Sequence, residues 1–135
     1  PPAGGDFESR PAPAGRPSRR FLRPFPVVRI AGSLRRDGAR LSVLSVRAPR
    51  GARIVVRCGG RSCPTRVRRF RARALTRLRT FERDLRAGTR LSVRVTRGAT
   101  IGKHVRFLIR RGQPPRRVDR CVLPGRAAPV ACPAR

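Results

Sequence analysis

Between residues 27 and 48 hydrophobic and polar residues alternate with period two, the pattern of a strand that buries one face. Val28, Ile30 and Leu34 fall on one side of the first strand, Arg29 and Ser33 on the other. "RRDG" (Arg35 to Gly38) then supplies a turn, with Gly38 able to take the positive φ of a tight hairpin. The second strand, 40–48, places Leu44, Val46 and Ala48 on one face but Leu41 and Val43 on the opposite one, which predicts a bulge or a partly covered outer face. Pro49 and Gly51 mark the next turn. A third strand, 52–58, puts Ala52, Ile54, Val56 and Cys58 inward and Arg53 and Arg57 outward, and Gly59 and Gly60 close it. A fourth, 65–73, alternates Phe70 and Ala72 with Arg69, Arg71 and Arg73.

From 75 to 86 the period changes. Leu75, Leu78, Phe81 and Leu85 recur at three- and four-residue steps, and Gly88 would stop a helix. The pattern reads as a short helical turn near 76–82 within a strand connection, with a three-turn helix as the alternative. Two clear strands follow: Leu91, Val93 and Val95 alternate with Arg90, Ser92 and Arg94, and Val105, Phe107 and Ile109 with His104, Arg106, Leu108 and Arg110. Strands separated by turn signals, with no long intervening helices, predict a mainly β protein, an antiparallel sandwich or barrel, with the sandwich of about six to seven strands preferred. Residues 1–24, rich in Pro, Ala, Gly and Arg, hold few large apolar side chains and read as a disordered linker or stalk. That leaves 25–113 as the β domain and 114–135 as a C-terminal tail.

The chain's 135 residues suit one domain. Its 35 Lys and Arg against 6 Asp and Glu give a formal net charge of +29. Lys103 is the one lysine, and Asn and Tyr are absent, so GC-rich coding accounts for arginine over lysine. It does not account for the excess of positive charge, because Asp and Glu also have GC-rich codons. Such a charge repels itself and attracts polyanions: anionic cell-wall polymer, acidic glycan, a lipid surface or, without sequence specificity, nucleic acid. The start at Pro1 is expected of a processed chain or an excised piece, with no apolar signal core and no apolar run long enough to span a membrane.

Four cysteines fit two disulfides and an exported protein, but they permit three pairings. Cys58–Cys63 with Cys121–Cys132 is favoured, because Gly59 and Gly60 let the chain double back and the second bridge would staple a proline-rich tail. A four-cysteine zinc site is the rival, although neither spacing is the close C-x2-C pair common in such sites.

Catalytic chemistry finds little support. His104 is the only histidine and sits at an outward strand position, with no G-x-S-x-G elbow in the chain. Asp6, Glu8, Asp37 and Asp119 form no acid/base pair, and Glu82 and Asp84 read as salt-bridge partners of Arg83 and Arg86. "GATIGKH" (Gly98 to His104) lacks the phosphate-loop pattern. The expectation is no enzyme, no cofactor and no metal. The candidate contacts for a polyanion are Arg66, Arg68, Arg69, Arg71, Arg73, Arg77 and Arg79, since guanidinium forks match phosphate and carboxylate oxygens. The six Phe are too few to suggest base-stacking recognition.

"RIVVRCGGRSCP" (Arg53 to Pro64), "LRAGTRLSVRVTRGATIGKHVRFLIRRGQPP" (Leu85 to Pro115) and "DRCVLPG" with "PVAC" (Asp119 to Cys132) together resemble a cysteine-containing, C-x-G-x-x-C-P β module of exported actinobacterial proteins. Thr96, Gly98 and Ile101 depart from that module by one extra residue between glycine and isoleucine. The resemblance implies a secreted or cell-surface, immunoglobulin- or fibronectin-type-III-like module, often a monomeric part of a larger protein, with no established activity. The function expected is therefore structural or adhesive on anionic surfaces, with non-specific nucleic-acid binding as the alternative. Alkylation of the unreduced protein followed by mass mapping is expected to find no free thiol, and four free thiols would end the disulfide reading.

Overall fold

The computed structural model describes residues 20–134, and the expected linker over residues 1–19 lies outside them. The fold is mainly β, with nine strands in two antiparallel sheets. In the first sheet β1 (Val27–Arg35) pairs with β2 (Gly38–Arg47), whose other side carries β5 (Leu75–Arg77) and β6 (Asp84–Arg86). The second runs in the order β4 (Val67–Arg71), β3 (Arg53–Gly59), β7 (Arg90–Thr96), β8 (Gly102–Leu108), β9 (Arg116–Val122). Both sheets contribute to one buried cluster: Leu44, Val46 and Leu85 from the first, Ile54, Val56, Val93, Val105 and Phe107 from the second.

Arg35 pairs with Gly38, so Arg36 and Asp37 form a two-residue turn. The register slips between Ala31 and Gly32, which leaves Ser42 as the extra residue. That bulge resolves the conflicting phases of β2: Ala39 and Leu41 before it and Leu44 and Val46 after it are all buried on one side. Gly38 plays a different part from the one its position in the turn suggested. It is a strand residue without positive φ, and a Cβ on it would lie 2.0 Å from the Leu85 carbonyl oxygen. Glycine is needed there because β6 crosses so closely.

No three-turn helix forms over 75–86. A 3-10 turn at Arg79–Phe81 separates β5 from β6. Leu78, Phe81 and Leu85 are buried, whereas Leu75 is outward and half exposed. A strand, one tight turn and a second strand bring inward residues back at three- and four-residue steps, which is why the spacing mimics a helix. Glu82 lies at this break. It accepts the Leu44 backbone N–H at 2.9 Å and the Arg77 guanidinium at 2.7 and 2.8 Å, with its side chain 9% exposed. Burial opposes its ionisation, but the Arg77 and Leu44 hydrogen bonds, with the charges of Arg77 and Arg79, hold the carboxyl below its ordinary range. Asp84 pairs with Arg40 and Arg35. The partners of both acids thus come from strand pairing and the β5–β6 corner, not from the adjacent Arg83 and Arg86.

Two ends also differ from the sequence reading. Residues 20–24 are ordered rather than part of a free linker: Leu22 is buried, its N–H donates to the Ile101 carbonyl at 3.0 Å, and Phe21 bridges Ile101. In the segment expected to be a stapled tail, β9 adds an edge strand to the second sheet. Its amphipathic pattern is hidden because two of its inner positions, Arg117 and Asp119, are charged. Asp119 there binds Lys103 at 3.0 Å and Arg117 at 2.7 Å, and the Arg117 guanidinium lies 5.4 Å from the centre of the Phe107 ring.

Gly38→Ala is expected to destabilise the fold by about 1–3 kcal/mol in urea unfolding, because the clash is with backbone rather than a movable side chain. Glu82→Ala removes a charged acceptor from Leu44 and Arg77 and is expected to cost about 1–3 kcal/mol in the same assay.

Candidate functional site

Strand register decides which arginines share a surface, because residues directly opposite in an antiparallel ladder point to the same side. On the outer side of the five-stranded sheet, one row across the strands reads Arg69, Val55, Arg94, His104, Arg120. The next reads Val67, Arg57, Ser92, Arg106, Val118, and the one beyond it Gly59, Arg90, Leu108, Arg116. Arg53 and Arg71 pair at the remaining corner. Within those three rows charged and neutral residues alternate, and the rows are offset so that the arginines form a checkerboard. From the spacing of β-sheets, neighbouring Cα positions bearing arginine are about 8 Å apart on the diagonal and about 10 Å along a row.

No carboxylate occupies these positions. Asp84 and Glu82 are bound by arginines of the four-stranded sheet, and Asp119 faces the other side of β9. Among the described residues, Arg53, Arg57, Arg69, Arg71, Arg90, Arg106, Arg116 and Arg120 have neither an ion-pair partner nor a side-chain acceptor. Arg94 is engaged differently. Its guanidinium donates to the carbonyls of Ala127 at 2.6 Å and Arg126 at 2.8 Å, tying the C-terminal loop over one corner of the face.

That loop is closed by Cys121–Cys132, and Cys121 also bridges Val130 through backbone bonds of 2.8 Å in both directions. The other disulfide is Cys58–Cys63, with Cα atoms 5.8 Å apart. All four sulfurs are consumed, so the thiolates of the rival zinc site are not available. Beside Cys58–Cys63 an open cleft lined by Arg57, Arg61, Pro64 and Arg66 continues the basic surface beyond the end of β3.

The arginines singled out between 66 and 79 do not form one strip. Arg69 belongs to the checkerboard, Arg71 to the Arg53–Arg71 corner of the same face, and Arg66 to its rim. Arg68 points to the other side of the sheet, where it lies 5.5 Å from the Phe70 ring centre and donates to the Thr80 hydroxyl. Arg73 is exposed in the connection after β4. Arg77 is held by Glu82 and the Ser42 carbonyl, and Arg79 lies in the 3-10 turn; both belong to the four-stranded sheet's side. The sequence run overlooked Arg53, Arg57, Arg90, Arg94, Arg106, Arg116 and Arg120. Alternation already pointed most of them outward, but gathering them requires the strand order.

His104 occupies a neutral place in the checkerboard. Burial first, and then the charges of Arg94, Arg106 and Arg120, hold its imidazole below the ordinary histidine range. Comparison with protein-family models, curated proteins and solved structures gave no match, so the reading of this face rests on its own chemistry.

An imidazole that resists protonation when folded gains protons more readily on unfolding, so it withdraws stability as pH falls. The loss is expected to begin near the ordinary histidine pKa and to level off below the depressed folded value. Denaturant titrations across that range are expected to show this component in the native chain and not in His104→Gln.

Proposed function

We propose that this chain is a non-enzymatic, extracytoplasmic β module that adheres to anionic polymers through the guanidinium face of its five-stranded sheet. The observation that carries the reading is the segregation of charge. Every ion pair described lies elsewhere, while this face keeps its arginines without carboxylate partners. Uncompensated guanidinium groups at this density carry a repulsive cost that an arriving polyanion relieves, with release of its counterions.

An immunoglobulin- or fibronectin-type-III-like sandwich is the arrangement we assign to the two sheets. Its support is the shared core and the placing of β1, β2 and the split β5–β6 opposite β4, β3, β7 and β8. The two disulfides and the resemblance to exported cysteine-containing modules support a secreted or cell-surface location. Adhesion to wall polymer or acidic glycan is preferred over nucleic-acid recognition, because the neutral positions between the arginines hold Val55, Gly59, Val67, Ser92, Leu108 and Val118, with the half-buried His104 as their one ring. Successive bases would find no row of Phe, Tyr or Trp on which to stack.

The test compares two charge-matched triple variants. Replacing Arg57, Arg90 and Arg106 by Ser is expected to weaken binding to dextran sulfate at least tenfold. It should also flatten the slope of log K against log salt by about 2–3, since each lost contact removes somewhat less than one unit. Replacing Arg29, Arg47 and Arg79, on the four-stranded sheet's side, removes the same charge and is expected to change binding less than threefold. Equal losses in both variants would reduce the effect to net charge and remove the face from the account. Tighter binding to single-stranded DNA than to dextran sulfate at matched salt would favour the nucleic-acid reading.

A further inference from the structure

We propose that His104 couples occupancy of the guanidinium face to proton uptake, so that the face holds polymers of sulfate or phosphate diester more tightly in mildly acidic surroundings. This inference rests on the adhesion reading and concerns how that face is regulated.

The geometry is specific. Across the strands His104 lies directly between Arg94 on β7 and Arg120 on β9, and Arg106 follows it on the same face of β8. The loop after β9 approaches this corner through the Arg126 and Ala127 carbonyls that hold Arg94. Those carbonyls orient the guanidinium without cancelling its charge. The nearest acid along β9, Asp119, points to the opposite side and is already bound by Lys103 and Arg117. The imidazole therefore stands in a field of three cations with no anion on its own side.

In the free protein partial burial, and then that field, hold the imidazole below the ordinary histidine range and so favour the neutral ring. A polymer whose anionic groups settle on Arg106 and Arg120 changes the sign of the field. The neutral ring then binds a proton from solvent at its free nitrogen and becomes imidazolium, a further donor to the ligand. Linkage fixes the direction: a ligand that prefers the protonated form binds more tightly as pH falls from the bound-state pKa toward the free-state one. Sulfate and phosphate diester remain ionised throughout that interval. A carboxylate polymer begins to lose its own charge in acid, which opposes the gain. His104 occupies a checkerboard site of the kind otherwise filled by Val, Ser, Leu or Gly, so protonation adds a cation without displacing one.

The chain's single histidine makes the measurement direct. The ring resonances of His104 in the whole protein, followed by NMR from about pH 8 to about pH 5, are expected to titrate at higher pH with saturating dextran sulfate than without it. Calorimetry at fixed salt, in two buffers of different ionisation enthalpy, is expected to show fractional proton uptake on binding. Affinity should increase at least threefold between the ends of that range. His104→Gln is expected to lose most of this increase, read as the ratio of its own affinities at the two ends of the range. An unmoved His104 titration with binding intact would overturn the proton coupling and leave the adhesive face standing. An equal acid increase in His104→Gln would do the same. Absence of binding at every pH would remove the adhesion reading as well.

Discussion

Like-charge repulsion is the constraint to which the rest of this molecule answers. With a net charge of +29, any compact arrangement must keep guanidinium groups apart or give each an acceptor. The two sheets meet that demand differently. On the four-stranded sheet, acids are interleaved: Glu82 holds Arg77, and Asp84 bridges Arg35 and Arg40. On the outer side of the five-stranded sheet, separation replaces neutralisation, and Arg53 beside Arg71 is the one place where arginines sit directly opposite. Because directly opposed like charges destabilise a ladder, the offset rows allow a densely cationic surface on a stable sheet.

Behind the three central strands β3, β7 and β8 the opposite side of the sheet is apolar. Ile54, Val56, Val93, Val95, Val105 and Phe107 are accordingly buried without a polar interruption. Where the apolar cover ends, at β9, the inner positions become an Asp119–Lys103–Arg117 cluster instead. Lys103 also lies over the Phe25 ring at 5.6 Å, so the last core side chains are covered by cations whose charge is satisfied by a carboxylate.

Period-two alternation made β1, β2, β3, β4, β7 and β8 legible in the sequence, and the conflicting phases of Leu41 and Leu44 announced the bulge. β9 was not legible, because its inward Arg117 and Asp119 satisfy each other rather than joining an apolar stripe. The break at 75–86 was ambiguous for a geometric reason: Leu78, Phe81 and Leu85 keep helical spacing around a single 3-10 turn. The candidate face was half visible. Alternation assigns Arg57, Arg90 and Arg106 to outer positions, yet only the order β4-β3-β7-β8-β9 brings them together. Proximity along the chain misled at Arg68, Arg77 and Arg79, which point to other surfaces.

The bridge between Cys121 and Val130 has a consequence for assembly. A terminal strand with unsatisfied backbone groups is a template on which a second molecule can polymerise. Here the covalently closed loop folds back and fills part of β9's outer border with the protein's own amides and carbonyls. A second copy is thereby hindered from pairing with β9 at that margin and extending the sheet from one molecule to the next.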